Sequence, residues 1–154
     1  MTWSLTGAAA AAVIEADFRS LPLAEVAAAA LASARAAGAE HADVRISRQR
    51  SRRAAARDAR PLGVLADSVT GLGVRVLVDG VWGFAAGDRI TASAAAEVAR
   101  SAVAMASMAA PAARERVTLA PEPAHSGQIW ASPVQIDPFD VPDAEVLALL
   151  EDRS

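Results

Sequence analysis

GLGVRVLVDGVWGFAAG, residues 71–87, decides the fold. Val74, Val76 and Val78 alternate with Gly73, Arg75 and Leu77, which is strand spacing. Asp79-Gly80 follows at once. That pair is a hairpin signal, because both central residues of a type I′ turn need φ > 0. Val81, Trp82 and Phe84 begin a return strand. Gly83 stands between the two aromatics, where a missing Cβ lets another backbone or a ligand come close. Trp82 and Phe84 are large side chains of the kind that dominate core energetics when buried, so they are expected to organise the main core.

Outward from the hairpin, Leu23, Val26, Ala27, Ala30, Leu31 and Ala34 form an apolar stripe at helical spacing. Pro22 suits its first turn, and Gly38 its end. Val44 and Ile46 then alternate with Asp43, Arg45 and Ser47, so a strand starts near Ala42. It runs into the cluster Arg45, Arg48, Arg50, Arg52, Arg53, Arg57 and Arg60. Asp58-Ala59-Arg60-Pro61 reads as a turn, and Leu62–Val69 as a weak strand or loop. After Gly87 a second helix is expected, capped by Thr91 or Ser93, with Val98, Ala102, Met105 and Ala109 on one face.

Six of the eight prolines fall between 111 and 142, which marks an extended arm. Thr118-Leu119 and Gln128–Trp130 read as brief edge strands. Pro142 opens a last helix carrying Val146, Leu147, Leu149 and Leu150, with Asp143 and Glu145 near its positive end. Its apolar face calls for another surface to cover it. Residues 8–18 read as a short leader helix poor in anchors. The fold class is α/β (α+β): an antiparallel sheet of three to four strands with helices packed on it, then the Pro-rich arm and a short C-terminal helix.

The 154 residues suit one domain. Trp3, Phe18, Trp130 and Phe139 are its other large anchors. Cysteine is absent, which excludes disulfides, thiolate metal sites and a cysteine nucleophile. The formal net charge of −3 gives no whole-chain attraction to nucleic acid or anionic membranes. All 15 basic residues are arginine. No secretion signal and no membrane span is visible, so the cytoplasm is the default expectation.

Gly-Val-Arg-Val at 73–76, Asp-Gly at 79–80 and Trp-Gly-Phe-Ala at 82–85 resemble the N-terminal domain of the TldD/PmbA metallopeptidases, once described as modulators of DNA gyrase. Ala36-Ala37-Gly38-Ala39, His41-Ala42-Asp43-Val44-Arg45 and Ile136-Asp137-Pro138 extend the likeness over roughly Leu23 to Leu150. The resemblance implies a leader over 1–21, an N-terminal α/β domain over 22–110, and a linker with the start of a central region over 111–154. The hairpin residues Gly73, Arg75, Asp79, Gly80, Trp82, Gly83 and Phe84 carry the motif. Family members often show an Asn-Gly or Asp-Gly at the turn over 58–61, from which Ala59 departs; the departure bears on the turn type and not on the strands that flank it.

The resemblance implies a zinc peptidase that degrades or matures peptides, built from paired subunits around a cleft. Its helical His-Glu-x-x-x-His motif is missing from this chain. The chain is therefore expected to be inactive alone, with no catalytic or metal residues of its own and zinc belonging to the full-length family. The partners implied are a homologous peptidase subunit and, through the complete enzyme, a peptide substrate. His41, Asp43 and His125 are donors that folding could bring together, but nothing in their spacing calls for a shared ion.

Arg48, Arg50 and Arg52 are the candidate substrate or partner strand, since arginine forks match carboxylates and phosphates. The plain alternative is a solvated strand face that blunts an exposed edge. No aromatic lies between Arg45 and Arg60, so stacking on bases has no platform, and nucleic acid is not expected. The competing function class is a stand-alone module that binds an extended peptide or nucleic acid through Arg45–Arg60. The glycines do not form a phosphate loop and read as turn and close-packing positions.

Overall fold

The computed structural model describes residues 14–58, 60–123, 125–128, 132 and 135–152. Ala59, Trp3, Trp130 and most of the expected leader helix lie outside that set. Three antiparallel strands form a sheet in the order β1-β2-β3: β1 is His41–Arg57, β2 Arg60–Val78 and β3 Val81–Gly87. Preceding it are α1, a single turn at Ala16–Arg19, and α2, Leu23–Ala36. Following it are α3, Ala92–Ala109, a 3₁₀ turn at Ala110–Ala112, and α4, Asp143–Glu151.

The central hairpin forms as its sequence dictates. Val78 faces Val81, leaving a two-residue loop with φ of 47° at Asp79 and 69° at Gly80. Helix α2 stops at Gly38 (φ 99°), where Gly38 N–H donates to Arg35 and Ala39 N–H to Ala34. Those two bonds satisfy carbonyls that the helix end would otherwise orphan. Thr91 caps α3, its hydroxyl accepting from Ala94 N–H.

Helices α2 and α3 lie side by side on one face of the sheet. Between them and the strands sits a core of small residues: Val26, Ala30 and Ala34 from α2, Leu72, Val74 and Val76 from β2, and Ala95, Ala99, Ala102, Val103 and Ala106 from α3. The expected aromatic core is not there. Phe84 is 56% exposed, and Trp82 is half-buried on the opposite face. The reason is proximity: α3 passes so close to β3 that a Cβ on Gly83 would enter the Ala102 carbonyl oxygen. No ring fits in such a gap. The buried stripe of α3 is accordingly Ala95-Ala99-Ala102-Ala106, so the face shared by Val98, Ala102, Met105 and Ala109 is split, with Ala102 buried and Met105 and Ala109 exposed.

Of the two readings open for residues 62–69, the strand is the one that forms: β2 runs unbroken from Arg60 and pairs with β1. The extra residue is absorbed at a shift between Ala55 and Ala56, beside Gly63 at φ 122°. Thr118-Leu119 forms no strand. Val117 N–H instead donates to Gly80 O, so the arm is tied across the hairpin turn.

Strand β3 reaches only from Leu72 to Val78 of β2. Beyond it, β1 and β2 continue as a two-stranded ribbon ending at Arg57 and Arg60. The helix-facing side of this ribbon receives α1 and the segment leading into α4, so the last helix finds its covering surface there.

Candidate functional site

Period-two alternation gives the sheet two chemically different faces. The face turned away from α2 and α3 carries His41, Asp43, Arg45 and Ser47 from β1. From β2 it carries Gly71, Gly73, Arg75 and Leu77, and from β3 Trp82, Phe84 and Ala86. Leu77 is buried on this face, whereas His41, Asp43, Arg75 and Phe84 stand about half exposed.

Register places Asp43, Arg75 and Phe84 in one row across the three strands. Arg75 Nε donates to Asp43 Oδ2 at 2.8 Å, and its guanidinium stands 4.5 Å from the Trp82 ring centre. His41 meets the edge of Trp82 at 6.0 Å between ring centres and lies 3.8 Å from Asp43. The ion pair is half exposed and contributes at most about 1 kcal/mol. Its effect is positional: it holds the Arg75 head over the indole.

Beside this row, Phe84 folds down onto Gly73. A Cβ there would meet the ring at 3.0 Å. A shallow depression of about 380 Å³ results, bounded by Asp43, Arg45, Ser47, Gly71, Arg75 and Phe84. It offers an aromatic surface, a carboxylate and two guanidinia. No base is paired with a nucleophile in it, so its chemistry is that of a contact surface.

The remaining hairpin residues divide by face. Gly83 lies against α3, where it sets the helix distance. Asp79 and Gly80 form the turn, which Glu40 grips by accepting from Asp79 N–H at 2.8 Å. Arg116 donates to Asp79 O on the other side.

Arg48, Arg50 and Arg52 lie on the helix-facing side of the ribbon, and the chain's own groups reach all three. Arg48 Nη1 donates to Glu15 at 2.9 Å and to Asp17 at 2.6 Å, while Arg50 donates to Glu15 at 2.7 Å. Arg52 donates to Val141 O at 2.8 Å and lies 3.5 Å from Asp143. The Arg48 hydrogen bond holds the Asp17 carboxyl below its ordinary value, and the same contacts, Glu15 first, raise Arg48. Sequence reasoning missed Glu15, Asp17 and Asp143 as partners: Glu15 and Asp17 stand 31 to 35 residues from their arginines and Asp143 much further from Arg52, and such separations leave no periodic trace. The only hint was that two acidic stretches each carry a phenylalanine, Phe18 and Phe139.

Residues 42–106 match the family described as PmbA/TldA metallopeptidase domain 1. Over this segment the chain is similar to that domain. The match spans the three strands and most of α3, and leaves α2 and the arm outside. No curated protein matches the chain. For a metallopeptidase family the donor set is the natural question, and this one does not fit zinc. Among the described residues no three His, Cys, Asp or Glu side chains converge to hold an ion. His41 and Asp43 adjoin without a third donor. Among the described residues no helix is long and apolar enough to cross a membrane.

Proposed function

We propose that this chain serves as the non-catalytic first domain of a PmbA/TldA-type metallopeptidase, helping two homologous subunits associate and forming one wall of a cleft for peptide. Zinc and hydrolysis belong to the complete enzyme. A cytoplasmic setting fits the cysteine-free sequence.

The sheet face turned away from α2 and α3 supports this reading above all. Phe84, 56% exposed beside Trp82 and Arg75, is the kind of aromatic and arginine grouping that anchors interfaces. The matched segment contains every residue of that grouping. Beyond the end of β3, one edge of β2 from Arg60 to Gly71 has no strand partner among the described residues. Such an edge suits backbone pairing with an extended substrate.

Light scattering after size exclusion tests association. The chain alone, and mixed with a candidate homologous subunit, should differ in mass, and Phe84→Asp should abolish the complex while leaving the melting temperature in place. A mixture that never exceeds the separate masses overturns the association role. A labelled extended peptide that fails to bind the complex up to millimolar concentration removes the cleft role. Peptide hydrolysis by the purified chain with added zinc, stopped by chelator, would refute the non-catalytic assignment.

A further inference from the structure

The helix-facing side of the ribbon carries three arginines at every second position. Side chains two apart on a strand are about 7 Å apart, so the three guanidinia repel one another. The sheet supplies no countercharge. Their partners across β2 are Thr70, Ser68 and Ala66, all neutral, and only Thr70 accepts a bond, from Arg48 Nε at 3.1 Å. Two of the guanidinium side chains are nevertheless well covered, Arg48 at 19% exposure and Arg52 at 15%. Covered cations need anions from elsewhere.

Those anions arrive on two segments with the same chemistry. Glu15-Ala-Asp-Phe18 brings two carboxylates to Arg48 and one to Arg50, with the Phe18 ring centre 5.4 Å from the Arg48 guanidinium. Asp137-Pro-Phe-Asp-Val-Pro-Asp143 lays Phe139 4.0 Å from Arg50 and brings Val141 O and Asp143 to Arg52. Each guanidinium is thus met by a carboxylate, and two of them also by a phenyl ring. A gap of about 400 Å³ remains between the two segments, floored by Ile46, Arg48 and Arg50 and walled by Phe18 and Phe139.

We propose that the Arg48–Arg50–Arg52 ladder is a recognition surface for an acidic, phenylalanine-bearing peptide segment of a partner, and that two such segments of this chain occupy it in cis. Among the described residues, the two cis segments leave this gap on the surface. The Pro-rich arm tethers the second segment, so its occupancy reflects a local concentration that a partner's segment competes against. Carboxylates with phenyl rings, rather than phosphates, are what the ladder already holds. The surface is independent of the outer sheet face on which the proposed subunit association rests.

Fluorescence anisotropy tests this with a labelled peptide of the sequence of residues 135–146. The full chain carrying Phe139→Ala and Asp143→Asn should bind it saturably, at least about tenfold more tightly than the unaltered chain, because the competing cis segment is released. Adding Arg50→Gln and Arg52→Gln should abolish binding, and a shuffled peptide should not bind. Should those variants fold poorly by circular dichroism, the exchanged pair replaces them: Arg52→Glu in the released chain should bind the Asp143→Arg peptide and reject the original. Absence of binding to the released chain overturns the proposal. So does equal binding of the shuffled peptide, or a single-stranded oligonucleotide that binds better than the peptide.

Discussion

Replacing Gly83 with alanine puts one methyl group where the structure has no room. The new Cβ would enter the Ala102 carbonyl oxygen and stand 2.8 Å from both Cβ and N of Ala106. Two of these three obstacles are backbone atoms inside a helix, so no rotamer change relieves them. Helix α3 must move off the sheet by about 1 Å, and a gap of that size forfeits roughly a quarter to a half of the attraction between the surfaces it separates. The surfaces are the core itself: Ala95, Ala99, Ala102 and Ala106 against Leu72, Val74 and Val76. Overpacking of this kind costs about 3 kcal/mol, the upper part of its usual range. For a chain of this size that lowers the melting temperature by about 6–12 °C. Thermal unfolding followed by circular dichroism reads the shift directly. Ala106→Gly should not rescue it, since removing that Cβ leaves the Ala102 carbonyl and the Ala106 nitrogen in place. A Gly83→Ala melt within about 2 °C of the parent, or a full rescue by Ala106→Gly, would refute the close approach of α3 to β3.

Gly80→Val should destabilise by at least about 1 kcal/mol, because its φ is 69° and a Cβ would meet Arg116 Cβ at 2.7 Å; an unchanged melt would argue against the turn. Asp17 has its carboxyl held below 3.8 by the Arg48 hydrogen bond, so its contribution to folding is complete above that value and is lost only as pH falls further, through the lowered one. Carboxyl-carbon NMR titration should place Asp17 below 3.8, and Arg48→Gln should return it there; a midpoint at or above 3.8 in the parent contradicts the pairing. Phe84→Ser should change stability by no more than about 0.5–1 kcal/mol, since more than half of the ring already faces solvent; a larger loss by thermal melting would place the ring in the core.

The parts of the fold legible in the sequence are those fixed by local stereochemistry. Asp79-Gly80 is read correctly because few residue pairs take φ > 0 twice in succession. Gly38 ends α2 and Thr91 begins α3 for equally local reasons. What was not legible depends on partners distant in the chain. Residues 62–69 stay open between weak strand and loop in the sequence because Gly63, Asp67 and Ser68 are poor strand formers, and β1 decides for strand by offering them an antiparallel template. Size ranking chose Trp82 and Phe84 for the core, whereas the helix–sheet distance chose Gly83 and alanine. The arginine ladder was visible as a pattern, but its countercharges sit about 30 residues before it and about 90 after it.

The two faces of the sheet follow from one arithmetic. A strand that alternates small apolar residues with larger polar ones presents the small set to helices that approach closely, and the large set to the other side. In β2 and β3 this sends Val74, Val76, Gly83 and Ala85 to α3, and Arg75, Trp82 and Phe84 outward. Close packing by alanine and glycine therefore produces the exposed aromatic face as its complement: rings excluded from a thin core have only the far side to occupy. Along the ribbon, where α2 and α3 no longer reach, the same inward register carries Arg48, Arg50 and Arg52 in place of valine. Valines there would lie bare to water, whereas arginines recruit acidic segments that close the layer. The change from Val44 and Ile46 to Arg48 along one face of β1 thus marks where covering by helices gives way to covering by charge.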